Sequence, residues 1–424
     1  MARLVVATFL AVMTIAMASL VDLPLCGGPV MSYGPAKATY PALADALTLV
    51  EEQPIAVWWS DNNPTHRIEI DALFDRCNAS TVPTIVVYAL PNKDCHASYS
   101  NRGFINSTEQ YTAFVQQLAT LVGSRPVIYI LEPDAVGLAT GGGCGQDAGY
   151  LDNMQRASAV LTTNNANAML YVDVGYWMLQ TDDKARQIAS ALQVVSATSR
   201  LHSVRGIVLN TANYRPVSEI TSLCARLIQV AGNPDWRCVI DTSRNYQTPT
   251  TTTEWCNNKF GAIGIPPTRN TGFPNLVDAF LWIKIPGESD GECINRTAIA
   301  GPMHSIDAMP GPAAAVFFPQ AFRTLWNQGY FVQNNLAPVL EQDAEAMVLA
   351  QVESKTPDLA RPDGSDAPTT QRPHLPEEPH PSKLNNQVPR PAAAILTSSS
   401  PNDSVFLTWG IHGTVVVAGA LLAL

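Results

Sequence analysis

Charge is scarce in this 424-residue chain: Asp, Glu, Lys and Arg make up only 15% of it, and 26 Lys+Arg stand against 36 Asp+Glu for a formal net charge of -10. Few charges beside 46% hydrophobic residues exclude an intrinsically disordered chain. The deficit of basic residues excludes a surface built to grip a phosphate backbone, so nucleic acid is not an expected partner. No glycine-rich phosphate loop follows any apolar run, which argues against a nucleotide-binding sheet; Gly141 to Cys144 reads as a flexible loop. No CxxC pair and no Cys/His metal spacing occurs, so no metal and no cofactor are expected.

The eight cysteines are even in number, which suits up to four disulfides in an oxidising compartment; spacing alone leaves their connectivity open. Arg3 precedes a predominantly apolar run, Leu4 to Met17, too short to span a bilayer, and Ala16-Met17-Ala18 has the small-x-small form of a cleavage site. Residues 1–18 are therefore expected to be a secretory signal. Sequons at Asn78, Asn106 and Asn295 fit the same route as surface glycosylation sites. Residues 354–400, rich in proline, serine and threonine, are expected to form a disordered stalk. Residues 401–424 end in an apolar tail with no basic residue after it, the layout of a glycosylphosphatidylinositol attachment signal or, alternatively, of a retained membrane anchor. The expectation is a secreted, surface-anchored monomer that meets the membrane only through that tail, with a catalytic-sized domain at 19–353.

Within that domain PTIVVYAL, RPVIYILEP, AMLYVDVG, VRGIVLNT, CVIDTS and AFLWIKIP are continuous apolar runs, with helix-like stretches such as Glu109 to Val122 and Lys184 to Ala197 between them. Continuous rather than alternating apolarity predicts strands buried on both faces, and the strand–helix alternation predicts an α/β fold, a parallel barrel in preference to a doubly wound sheet. Chemistry in such a barrel collects at the strand C-termini. Carboxylates stand there in number: Asp94, Asp134, Asp173, Asp241, Glu288 and Asp290. Converging carboxylates with few basic partners in the same segments should perturb each other's pKa values. For Asp241, followed by Thr242, Ser243 and Arg244, a structural role is the better expectation.

At PTIVVYALPNKDC, VIYILEPDAVG and AFLWIKIPGESDGEC, and in order through YVDVG, VRGIVLNTANYR, GNPDWRCVIDTSRN and EWCN, the chain resembles glycoside hydrolase family 6, inverting enzymes that cleave β-1,4-glucan. The resemblance implies a distorted, incomplete (β/α) barrel with a groove or tunnel over the strand C-termini, a β-1,4-glucan substrate, and catalysis by two carboxyl groups ~6.5–9.5 Å apart. By the same resemblance Asp134 is the general acid, Asp94 raises its pKa and stabilises the transition state, and Asp290 is the base. Tyr88 presses the sugar into a distorted ring and Ser100 holds the hydrolytic water. Lys284, Glu288, Asp173 and Asn213 contact sugar, and Trp59 and Trp255 are stacking platforms. The resemblance also implies disulfides Cys95–Cys144 and Cys256–Cys293; the pairing of Cys26, Cys77, Cys224 and Cys238 stays open, a local Cys224–Cys238 bridge with Cys26–Cys77 being one arrangement. Two departures stand out: Lys93 replaces the family's arginine, losing a planar fork, and Tyr176 stands where the family often has histidine. The rival expectation is a non-catalytic glucan-binding or adhesion protein that retains the groove. A retaining glycosidase would need the carboxyl pair at ~5–5.5 Å instead.

Overall fold

A computed structural model describes residues 20–246, 249, 251–294 and 305–339, all within one compact unit. The expected signal peptide, stalk, hydrophobic tail and Asn295 lie outside the described residues. Eight parallel strands form the frame: β1 (Leu25–Cys26), β2 (Val57–Ser60), β3 (Val82–Tyr88), β4 (Val127–Leu131), β5 (Ala168–Asp173), β6 (Val204–Leu209), β7 (Arg237–Asp241) and β8 (Val277–Leu281). The six apolar runs became β3 to β8. The two strands that sequence reading missed, β1 and β2, are short, and both lie along the same edge of β3.

From β3 to β8 each strand pairs with the next in chain order. The curled sheet then nearly closes. Ile55 bridges Trp282 in parallel, Ala56 N–H donates to the Trp282 carbonyl at 2.9 Å, and the Trp58 indole N–H donates to the Ile283 carbonyl at 2.9 Å. No ladder joins β2 to β8 at this seam, so the barrel is incomplete, as expected.

Successive strand residues point to opposite faces, and the core divides accordingly. Val86, Ile128, Ile130, Met169, Tyr171, Val208, Val239, Ala279 and Leu281 fill the interior. Their neighbours Ile85, Val87, Tyr129, Leu131, Leu170, Val172, Ile207, Leu209 and Ile240 face the surrounding helices. Because both sets are apolar, the strands read as unbroken runs. The helix Thr108–Val122 covers β3 and β4 with Tyr111, Phe114, Val115, Leu118 and Val122, a stripe at three- and four-residue spacing. The Ser107 hydroxyl caps its start by accepting the Gln110 N–H at 3.3 Å. Helices Tyr150–Thr163, Asp182–Ser196 and Val217–Ala231 follow β4, β5 and β6 in the same way. After β7 the pattern breaks: among the described residues, none of 242–276 is in a regular helix, and that stretch is free to line the barrel mouth.

The same alternation selects what reaches the mouth. Continuing the interior parity past the apolar layers puts Trp58, Tyr88, Asp173 and Asp241 at the C-terminal rim.

Candidate active site

A cleft of about 2190 Å³ crosses this rim, bordered among others by Trp58, Tyr88, Asp94, Asp134, Lys284 and Asp290. The chain reaches it through an unusual concentration of left-handed backbone. Asn92, Asp94, Glu132, Asp134, Asn210 and Ala212 all have positive φ, from 48° at Glu132 to 70° at Asn210. Each costs a non-glycine residue on the order of 1–2 kcal/mol, and such strain persists where surrounding structure enforces it, commonly at functional sites.

Asp134 follows β4 with φ 66° and stands at the start of the short helix Ala135–Ala139. Its backbone N–H donates to Asp173 Oδ1 at 2.8 Å, and the same oxygen accepts the Gly175 N–H at 3.2 Å. Asp173 Oδ2 is buried without a hydrogen-bond partner. Burial, then Asp173, then Asp94 push the Asp134 carboxyl well above the usual range. Burial also pushes Asp173 up to about 6, against the hydrogen bonds it accepts. Asp94 is raised by burial too, although backbone N–H groups led by Ser100 pull the other way; the Ser100 N–H donates to Asp94 Oδ2 at 2.6 Å. Ser100 and Asn213 border the cleft beside these acids.

Across the mouth Asp290 is differently placed. Arg244 holds it through one nitrogen, Nη1 lying 2.9 and 2.8 Å from the two carboxylate oxygens, while Nη2 donates to the Ala212 carbonyl. The Tyr214 hydroxyl at 3.1 Å, the Asn257 N–H at 2.9 Å and the Lys284 ammonium at 3.5 Å complete the set. Burial alone would raise Asp290, but Arg244 and Lys284 override it and hold the carboxylate below its ordinary value. Glu288, two residues earlier, accepts the Ser32 hydroxyl at 2.7 Å, and burial lifts it to about 7 despite Lys284. Asp241 accepts the backbone N–H of Ala212, Ser243, Ile283 and Lys284 at 2.9–3.2 Å, the structural role expected of it. It ties the ends of β6, β7 and β8 together.

Of the two expected indole platforms, Trp255 borders the cleft, 42% exposed, with the Tyr99 ring 6.1 Å away. Trp59 does not reach it. On β2 it has the outward parity: it is 1% exposed, stacks on Phe114 at 4.8 Å and donates its N–H to the Phe114 carbonyl at 3.1 Å. Trp59 is a core residue, and the cleft-facing indole of VWWSD is Trp58, set edge-on to Tyr88 at 5.6 Å. The register of β2 on β3 is what separates the two. Trp177, not singled out from the sequence, and Tyr176, noted as standing at the family's histidine position, also border the cleft. Lys93 turns under the cleft floor instead of into it: 3% exposed, it pairs with buried Asp61 and donates to the Tyr88 carbonyl at 3.1 Å.

Four disulfides hold these loops: Cys95–Cys144 beside Asp94, Cys256–Cys293 between Trp255 and Asp290, and Cys26–Cys77 and Cys224–Cys238 elsewhere in the frame.

The family model described as glycosyl hydrolases family 6 matches residues 34–329. Endoglucanase A of Thermobispora bispora is 34% identical over 286 residues, 66% of this chain and 59% of that protein. A 1,4-β-D-glucan cellobiohydrolase of Podospora anserina is 28% identical over 69% of this chain and 79% of its own length. Among solved structures, the endoglucanase Cel6 of Mycobacterium tuberculosis, in complex with methyl-cellobiosyl-4-deoxy-4-thio-β-D-cellobioside, matches with a TM-score of 0.59 at 28% identity, covering 73% of this chain and 98% of that one. The chain spans 59%, 65% and 53% of the length of three endoglucanase relatives.

Proposed function

This chain belongs to glycosyl hydrolases family 6, and from that premise we propose that its cleft hydrolyses β-1,4-glucosidic bonds of cellulose or a related β-glucan with inversion, Asp134 being the general acid. The observation that carries the reading is the buried Asp134–Asp173–Asp94 group, which favours a protonated Asp134 at a pH where an ordinary aspartate is ionised.

In this mechanism Asp134 gives its proton to the glycosidic oxygen as the bond to the anomeric carbon breaks. Water adds to that carbon from the opposite face, and its proton leaves to a carboxylate. Asp290 is the candidate base, and Ser100 the candidate holder of the water. The cations around Asp290 hold its carboxyl below the ordinary value, so it favours the anion and is a weak proton acceptor. Asp94, raised by burial and without a cation clamp, is the better acceptor if the proton travels through a second water, and it stands where it can return the proton to Asp134. Tyr88 presses the sugar ring toward the oxocarbenium shape. Trp58 and Trp255 cover sugar faces, while Lys284, Glu288, Asp173 and Asn213 bind hydroxyls near the point of cleavage.

The same proposal has the chain act as a monomer that passes through the secretory route and is held at the cell surface. Four disulfides support an oxidising compartment, and Asn78 and Asn106 are exposed in their sequons. The signal, stalk and anchor rest on the sequence of residues 1–18 and 354–424.

The test is reducing-sugar release from barley β-glucan and a soluble cellulose derivative by the full chain and by Asp134→Asn, with the anomer first formed read by proton NMR. The expected result is an α-anomer product and a rate lowered about 10²–10⁴-fold in the variant. Glucan binding without turnover in the parent would replace the hydrolase reading with that of an adhesion protein.

A further inference from the structure

Glu132 lies two residues before Asp134 and takes no part in the mechanism above. It is 0% exposed, and its backbone holds φ 48°, so the fold spends strain as well as desolvation to keep a carboxylate at this place. Its side chain reaches across to the neighbouring strand. Oε1 and Oε2 each accept the Ala89 N–H at 3.1 Å, Oε2 accepts the Leu90 N–H at 3.4 Å, and the Tyr111 hydroxyl donates to Oε1 at 2.9 Å.

Ala89 and Leu90 continue the chain from Tyr88 toward Asp94, and the turn between them is closed by the Lys93 N–H on the Leu90 carbonyl at 3.0 Å. Its backbone adds two more ties: the Glu132 N–H donates to the Val87 carbonyl of β3 at 2.9 Å, and its carbonyl accepts the Ala135 N–H at 3.1 Å. A small cavity behind the cleft is bordered by Glu132 together with Tyr88, Lys93, Asp94, Asp134 and Tyr150. The carboxylate therefore sits between the two loops that carry the proposed acid and its neighbour.

We infer that Glu132 is a positioning residue: one buried carboxylate fastens the exit of β3 to the exit of β4 and so fixes Tyr88 and Asp94 against Asp134. This rests on the hydrolase reading above. The groups that bond its side chain, the Ala89 and Leu90 N–H and the Tyr111 hydroxyl, all donate, so in place of the ionised carboxylate a glutamine must turn an N–H₂ toward a donor and loosen the tie while keeping the shape. Misplacement of reacting groups by about 1 Å costs on the order of a hundredfold in rate.

The experiment compares the full-length wild-type chain, Glu132→Gln, Tyr111→Phe and, as a remote core control, Leu227→Ala, on a soluble β-glucan at about pH 8, above the value near 7 to which burial holds Glu132, with kcat, KM and melting temperature measured for each. Glu132→Gln should lose roughly 10–100-fold in kcat with KM within threefold and more activity than its change in melting temperature accounts for by the control. Tyr111→Phe, which removes one donor and leaves the ring packed, should lose several-fold in kcat alone, and it decides the matter if Glu132→Gln does not fold. A folded Glu132→Gln no slower than Leu227→Ala, or a folded Tyr111→Phe with unchanged kcat, overturns the inference. A wild-type chain that releases no sugar overturns the hydrolase reading and this inference with it.

Discussion

Asp134 and Asp290 border one cleft from opposite arcs of the barrel, and their surroundings differ in kind. The β4 and β5 rim places Asp134 with Asp173 and Asp94, and burial and like charge both disfavour ionisation. The β7 and β8 rim meets Asp290 with Arg244 and Lys284, and two cations outweigh the same burial. Equal residue types are thus driven in opposite directions, one toward its protonated form and the other toward its anion. Burial alone would have raised both. The cations make the difference, so the comparison breaks most directly at Arg244.

Replacing Arg244 with methionine leaves Asp290 buried with its principal partner gone. Removing one member of a buried pair costs about 3–5 kcal/mol, and both members are almost wholly enclosed, with side chains 2% and 6% exposed. Asp290 has its folded pKa depressed, so the pair stabilises above the unfolded value, about 3.9, and that contribution is lost as pH falls through the folded value. Arg244→Met should therefore lose most in urea unfolding at pH 7 and approach the wild type toward pH 3. An equal loss at both pH values would mean that Arg244 matters for packing rather than for charge.

The second comparison is between adjacent indoles on β2. Trp59→Ala empties a site between Phe114 and the His66 ring and should cost about 3–5 kcal/mol of stability with KM nearly unchanged. Trp58→Ala removes a cleft wall and should raise KM about tenfold, worth about 1.4 kcal/mol. Unfolding and steady-state kinetics on the same pair of proteins separate them. If Trp59→Ala raised KM and left stability intact, the register of β2 would be wrong.

These pairs also mark what sequence could and could not disclose. Strands β3 to β8 were legible because both faces of each are apolar, and the acid positions were legible because they end those runs. The identity of the cleft indole was not read, since VWWSD is too short to display a period, although the parity of its pairing with β3 fixes it. The Arg244 clamp was invisible for another reason: the arginine stands in a segment read as structural, and its carboxylate partner is 46 residues away. Lys93 was read only as a departure from the family's arginine. Its partner Asp61 drew no notice because nothing in the local pattern of either residue shows that they are buried together. Glu132 lies inside a run whose apolarity suggests only a strand end.

The smallest effect expected is a pH dependence of stability that Asp290 alone would reverse. Glu132 and Glu288 are both held up to about 7 by burial, and Asp173 to about 6. A folded pKa above the unfolded one, about 4.3 for glutamate and 3.9 for aspartate, means that the folded state binds the proton more tightly. Each group then contributes stability that is fully present below its unfolded value and lost as pH rises through its folded value. The melting temperature should accordingly fall between about pH 4 and pH 7, opposite in sign to the acid-side loss carried by Asp290. Glu288→Gln tests this at a site away from the β3–β4 tie, since glutamine fills the same volume and does not titrate. It should flatten part of the slope between about pH 4 and pH 7 and leave the acid side as it was. A slope unaltered by Glu288→Gln would show that Ser32 and Lys284, which oppose the effect of burial, compensate it fully, and the rim of β8 would then be anionic along its whole length.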